Sequence, residues 1–282
     1  MNSYYRAALV ADSLSLGPHW VYDQEEIAAA FPRGLRKPEN PIAEYHKGKE
    51  AGDLTHYGDQ AVMLKSSLEK RGGFAAEGWR EDWVAAMRGY GGYVDGASRE
   101  TLKSEGKLPS GSDDLGGASR MAPILDLRLP LGETIDAVRT QTKVTHGDPA
   151  VADAAEFFAR AVHAVADGAN FEDALGAAAD GGIYRKLEVE ELFEKALKWR
   201  DEPFPKVAKK LGQACGVGKA FPLALYFLLR PETDFESTIG DNAMAGGDSS
   251  ARGMLIALLF AAEDKGVAEH LSGGVNALQK PD

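Results

Sequence analysis

Four short segments gather the side chains best suited to chemistry: Ala11-Asp12, His56-Tyr57-Gly58-Asp59-Gln60, Ser110 to Arg120, and Ala245-Gly246-Gly247-Asp248-Ser249-Ser250-Ala251-Arg252. Each sets polar groups at a helix start or end beside glycines, whose missing side chains let a ligand approach the backbone. A carboxylate so placed can take a proton from water or, with further oxygens, hold a hard divalent cation. Every segment also has a plain structural reading: Asp59 and Asp248 as N-caps of the helices that follow, Asp113 and Asp114 as turn residues. Taken one at a time, the segments favour that plainer reading. Cys215 is the single cysteine of the chain. With no histidine near it in sequence it reads as a core residue, and it leaves no partner for a disulfide or a thiolate metal cluster.

These segments need helices to hold them. The helical period is clearest after Asp148, where Pro149 fits the first turn, Val151, Ala154, Ala155, Phe158, Val162 and Val165 share a face, and Gly168 ends the run. The same reading predicts helices over Tyr4 to Leu16, Gln60 to Leu68, Val189 to Trp199 and Ala251 to Lys265, the last closed by Gly266. Loops rich in Gly, Pro and Asp are expected over Phe31 to Tyr57, Lys103 to Gly117 and Asp241 to Asp248, where small-molecule sites tend to assemble. Strand-like alternation is nearly absent, and no glycine-rich loop follows a strand as a dinucleotide or P-loop site requires. The expected fold is all-α, built as one domain over 1–282, with the helices after Asp59 and Asp248 starting at one cleft.

Composition narrows the classes further. A formal net charge of -11 and a pI near 5.1 argue against a nucleic-acid binder, which holds phosphates through clustered Lys and Arg. Lys206, Lys209 and Lys210 read as a solvated helix face. The longest apolar runs, Phe221 to Leu229 and Met254 to Ala262, fall short of the roughly 18 residues of a membrane span. The first ten residues lack an apolar signal region, and together with the lone cysteine this gives a cytoplasmic expectation. His146, His163 and His270 carry no functional signal.

Order and spacing of the four segments, with Leu16-Gly17 and Thr145-His146, resemble the ADP-ribosylglycohydrolase family over nearly the whole chain. The resemblance implies an orthogonal helical bundle and hydrolysis of an ADP-ribose-type N- or O-glycosidic bond, with an ADP-ribose-like ligand or ADP-ribosylated substrate as partner. In the family, paired acidic motifs hold two magnesium ions. Here Gly58 and Gln60 flank Asp59, and Ser250 and Ala251 replace the second acid and the threonine of the late motif, which implies that magnesium is weakly bound or lost. The forms Gly58-Asp59-Gln60 and Gly246-Gly247-Asp248-Ser249, with His19-Trp20-Val21-Tyr22-Asp23, are similar to the branch that contains selenoprotein J and the jellyfish J-crystallins. Carried over residue by residue, the resemblance implies Asp59 and Asp248 as catalytic and metal-binding groups. It further implies Asp12, His19, Gln60, Asp113, Asp114, Gly116, Gly117, Ser249, Ser250 and Arg252 around the ligand. An Asp to Arg252 ion pair would satisfy the same charges without chemistry. Two other classes stay open, a binding module that does not cleave its ligand and a crystallin-like structural protein.

Overall fold

The computed structural model describes residues 3–231, 234–263 and 269–279. In chain order the helices are α1 Tyr4–Ser15, α2 Gln24–Ala30, α3 His56–Arg71, α4 Ala76–Arg88, α5 Gly96–Lys103, α6 Gly116–Ser119, α7 Ala122–Leu125 and α8 Leu131–Lys143. They continue with α9 Pro149–Ala166, α10 Phe171–Gly181, α11 Val189–Leu197, α12 Phe204–Leu211, α13 Val217–Leu229, α14 Phe235–Met244, α15 Ser249–Ala262 and α16 Glu269–Ser272. Among the described residues no β-strand forms, only two isolated bridges, Ser110 to His146 and Asp114 to Gly216. No described helix is long and apolar enough to cross a membrane.

Helix α15 is the centre of the bundle. Every residue from Ser249 to Ala261 is buried, the mark of a helix surrounded on all sides by others. It packs against α1, α9, α13 and α14. Helix α13 is buried from Ala220 to Leu229 and carries Pro222 inside it, which removes one backbone donor that neighbouring packing must offset. Aromatic pairs join these layers: Phe157 and Phe158 of α9 meet Phe221 of α13 with centroids 4.9 and 5.6 Å apart.

Local sequence explains the boundaries. Asp148 caps α9 by accepting the Ala150 N–H at 2.8 Å, as its position before Pro149 predicts. Helix α3 starts four residues earlier than the pattern suggests, because the cap is Thr55, whose hydroxyl accepts the Tyr57 N–H, and not Asp59. It runs to Arg71 and closes on Gly72, in the left-handed conformation at φ 70°. The loop expected over Asp241 to Asp248 is half helix, since Asp234 caps α14 through Ser237 and Ile239 and Ala243 bury its inner face as far as Met244. Helix α15 ends at Ala262; Gly266, the expected stop, and the side chain of His270 lie outside the described residues.

One buried charge organises the periphery. Asp153 of α9 is fully buried; its Oδ2 accepts the backbone N–H of Arg185, Lys186 and Leu187 at 2.8, 2.8 and 3.2 Å, and its Oδ1 pairs with Arg139 at 2.9 Å. The segment before α11 thus hangs on a single carboxylate. Asp153→Ala leaves three backbone donors unmatched, while Arg139 keeps its pair with Glu156 at 2.6 Å, and is expected to cost about 3–5 kcal/mol in a urea unfolding titration; a loss below about 1 kcal/mol would show that the segment is held by other contacts.

Candidate functional site

The site begins at Asp12. Helix α1 is almost wholly buried, and it carries this carboxylate between the starts of α3 and α15. Asp12 Oδ2 accepts the Thr55 N–H at 2.7 Å and Oδ1 accepts the Thr55 hydroxyl at 2.5 Å, while the Ser250 hydroxyl donates to the same Oδ1. Thr55 Oγ1 and Ser250 Oγ are themselves 3.1 Å apart. Burial pushes the Asp12 carboxyl up to about 6 against the pull of the Ser250 and Thr55 hydrogen bonds. Gly58 makes this possible, since a Cβ there would stand 2.3 Å from Asp12 Oδ2.

One turn further along α3, Tyr57 joins two acids. Its hydroxyl lies 3.1 Å from Asp248 Oδ2 and 3.1 and 3.2 Å from the Asp114 oxygens. Asp248 is fully buried and Asp114 half-buried. Burial raises both carboxyls, Asp248 to about 6, where the Arg252 charge and the Tyr57 bond work in the opposite direction. Asp114 is raised well above the carboxylate range by burial and then by the neighbouring Asp248 charge. The two raised carboxyls share one hydroxyl, and the Asp248 charge disfavours ionisation of Asp114. Cys215, expected in the core, is instead half-buried beside this pair, its thiol pushed up by burial and by the charges of Asp114 and Asp248. It is therefore a poor nucleophile at neutral pH.

His19 faces the other side of Asp248. Its Nε2 is 3.7 Å from Asp248 Oδ1, too far for a hydrogen bond, and neither atom has a hydrogen-bond partner among the described residues. Burial and the nearby His46, His56 and Arg252 keep His19 well below its usual range, hence neutral. His46 and His56 are both lowered to about 4, chiefly by burial. Arg252 makes no ion pair with an aspartate among the described residues. It donates from Nη2 to the Gly246 carbonyl at 2.8 Å and from Nε to Asn242 Oδ1 at 3.1 Å, so it holds the turn before Asp248 and reaches that carboxylate through its field alone.

A family model for ADP-ribosylglycohydrolase matches residues 6–268. The chain belongs to the ADP-ribosylglycohydrolase family. Crystallin J1A of Tripedalia cystophora is 24% identical over 285 residues, covering 91% of this chain and 85% of that protein. Among solved structures, an ADP-ribosylglycohydrolase-related protein complex superposes with a TM-score of 0.72 at 17% identity, covering 98% of this chain and 92% of the other, which supports the all-α fold read from the sequence.

Measured against the family expectation, the predicted residues divide. Hydrogen bonds bring Asp12, Asp114, Asp248 and Ser250 together with Thr55 and Tyr57, and His19 and Arg252 flank Asp248. Asp59 looks elsewhere: its Oδ2 receives Lys49 Nζ at 2.8 Å and the Tyr90 hydroxyl at 2.6 Å. Gln60 belongs to a buried structural network, with Oε1 accepting from Trp83 Nε1 at 2.9 Å and Arg120 Nη1 at 2.6 Å. Ser249 gives its carbonyl to Asn242, and Asp113 is exposed. The N–H groups of Gly116 and Gly117 are committed to Asp114, at 2.8 Å to its Oδ1 and 3.2 Å to its carbonyl. These two glycines lie against the Tyr57 and His146 rings. Sequence reasoning gives no site role to Thr55, Tyr57, Cys215 or His46. The clustering of histidine and tyrosine near residues 19, 46 and 57 is the signal that points to His46 and Tyr57; Thr55 and Cys215 carry none.

Asp114, Cys215 and Asp248 place ligand atoms within 4.8 Å of one another, a group able to hold one ion. Two magnesium ions do not fit. Gly58 supplies no oxygen, Asp12 is saturated by Thr55 and Ser250, and a thiol is a poor ligand for a hard cation.

The buried histidines set a pH dependence with a definite sign. A histidine held below its unfolded value binds fewer protons folded than unfolded, so stability rises with pH between about 4 and 6.5 for His56. Asp12 and Asp248 act in the opposite sense: their raised carboxyls favour the folded state below 3.8, and that contribution is lost as pH rises through about 6. His56→Gln should remove on the order of 3 kcal/mol from the gain in unfolding free energy between pH 4 and 7. An unchanged gain would mean that His56 titrates normally in the folded protein.

Proposed function

We propose that the protein is a hydrolase of an ADP-ribose-type N- or O-glycosidic bond, acting as one unit in the cytoplasm on a ribosyl small molecule or ADP-ribosylated substrate. Family membership supports the hydrolase class. The observation that carries the chemistry is the Asp114–Tyr57–Asp248 bridge, in which one raised carboxyl sits half-open to solvent and the other keeps an unpartnered oxygen. With one proton shared by the pair, Asp248 in its ionised form accepts a proton from the attacking water, and Asp114 in its acid form delivers one to the leaving nitrogen or oxygen. Water's oxygen joins the anomeric carbon, the glycosidic electron pair leaves with the aglycone, and the two proton transfers close the balance. Tyr57 holds the two acids at a fixed separation.

The sequence reading pairs Asp59 with Asp248, whereas the hydrogen bonds favour Asp114 as the partner, and mutation separates the two. Asp248→Asn should lower turnover of an ADP-ribosyl substrate by at least about 100-fold, and Asp114→Asn by a similar factor with loss of the basic limb of the pH profile, the limb set by the general acid losing its proton. Asp59→Asn should change turnover by less than about tenfold, because its carboxylate is engaged with Lys49 and Tyr90. Full loss in Asp59→Asn beside an active Asp114→Asn would return the chemistry to the Asp59–Asp248 pair. Turnover should also persist in chelator, since the donors do not suit a magnesium pair; collapse on chelation, restored by magnesium alone, would defeat that reading.

The similarity to Crystallin J1A favours a second reading, in which the helical bundle is kept for its stability and the polar cluster only braces helix starts. Thermal stabilisation by ADP-ribose decides between them: a shift that saturates with ligand supports a working site, and none at any concentration supports the structural role.

A further inference from the structure

A cavity of about 680 Å³ has a lining that includes Trp20, Tyr22, Tyr45, Tyr93, Glu26 and Glu44. Three of its rings stand nearly perpendicular to one another. Trp20 and Tyr45 have centroids 5.3 Å apart at 87°, Trp20 and Tyr93 4.9 Å at 76°, and Tyr45 and Tyr93 5.7 Å at 81°. Five large hydrophobic side chains are exposed among the described residues, and three of them, Tyr22, Ile42 and Tyr45, belong to this one cavity. Such concentration on a small surface marks a binding site more often than chance exposure does.

Charge indicates the kind of occupant. The lining carries two carboxylates and neither Lys nor Arg. Arg99, outside the lining, already sits with its guanidinium 5.9 Å from the Tyr93 ring centroid, so a ring of this cluster is within cation range. Glu26 and Glu44 are exposed, and a small inorganic ion would keep its water there. A bulky cation of low charge density sheds water readily and gains from ring contact as well as from the carboxylates.

The cavity is also braced. Trp20 has φ 65°, in the left-handed region that a bulky residue rarely enters. Two backbone bonds hold it there, from the Trp20 N–H to the Gly247 carbonyl at 2.8 Å and from the Gly247 N–H to the Val21 carbonyl at 2.7 Å. Its indole stacks on His19 at 4.8 Å and on His46 at 5.6 Å. Tyr22, another lining residue, gives its backbone carbonyl to Gln213 Nε2 at 3.2 Å, and Gln213 in turn accepts the Asp248 N–H at its own carbonyl at 2.9 Å.

We propose that this cavity is a binding site for an organic cation of the quaternary ammonium or N-alkylpyridinium class, held against Trp20, Tyr45 and Tyr93 and neutralised by Glu26 and Glu44. The Trp20 N–H bonds the carbonyl of Gly247, the residue before Asp248, so the cavity and the acidic site share that turn. Occupancy does not depend on hydrolysis and is measured without turnover, so its failure and the failure of the catalytic reading are separate results.

Titration calorimetry with tetramethylammonium and N-methylpyridinium, against neopentyl alcohol and toluene as neutral counterparts, tests the proposal on the full chain. Saturable binding is expected for both cations and binding weaker by at least about tenfold for the neutral compounds. Trp20→Ala should abolish the heat signal. Because that residue also braces the Gly247 turn, Tyr45→Ala, at an exposed position, and the double variant Glu26→Gln with Glu44→Gln supply independent arms, each expected to weaken cation binding several-fold without altering thermal stability. Equal binding of cation and neutral counterpart, indifference to Tyr45→Ala and to the double glutamine variant, or no saturable cation binding would each overturn the assignment.

Discussion

The arrangement turns on the burial of the Asp12 carboxylate. A charge so deep in a helical bundle is tolerated only when its oxygens are matched, and here the backbone and hydroxyl of Thr55 and the hydroxyl of Ser250 match them. Those donors belong to the first turns of two helices remote in sequence, so satisfying one acid fixes how α3 and α15 meet. Tyr57 and Asp248 ride on these two helix starts, and their contact inherits its geometry from Asp12. Loss of this carboxylate would leave a buried amide and two hydroxyls to find partners elsewhere, which is why the site and the fold are hard to separate at this point.

Around that anchor the protein gathers ionisable groups and keeps most of them uncharged. Burial lowers the four histidines His19, His46, His56 and His146 and raises Asp12, Asp114 and Asp248. The compensating positive charges, Arg120 and Arg252, are buried as well and lowered to about 10, mainly by desolvation. Their guanidinium protons go mostly to carbonyl and amide oxygens rather than to carboxylates. The cluster thus has a soft proton inventory near neutrality, in contrast to the outer ion pairs, such as Arg71 with Asp82, that lie in water and count for little.

Much of the architecture could be read from residue order. The helical period and the cap at Asp148 gave α9 to within a residue, because that segment's local signals and its packing agree. Helix α3 was placed too late, since Thr55 is an ordinary cap residue hidden in a stretch that looks like loop. Helix α14 was missed in part because Asp241, Asn242 and the glycines after Met244 read as turn chemistry, while burial of Ile239 and Ala243 decided the outcome. Of the residues the resemblance implies, Asp12, His19, Asp114, Asp248, Ser250 and Arg252 lie together about the starts of α3 and α15. The resemblance assigns nothing to Thr55, Tyr57 or Cys215, whose roles come from contacts between segments far apart in the chain. Nor could spacing reveal that Asp59 would turn to Lys49 and Tyr90, a choice made by the loop that brings Lys49 alongside.

The bare α-carbon of Gly58 ties that position to Asp12. The space a side chain would need there is filled by Asp12 Oδ2, so an aspartate placed at 58 would collide with the group that joins α3 to α15. Any side chain at 58 obliges Asp12 to move, and replacing Asp12 alone strips the helix junction of its acceptor. The side chains at 12 and 58 are therefore coupled, and the cost of a change at one depends on what stands at the other.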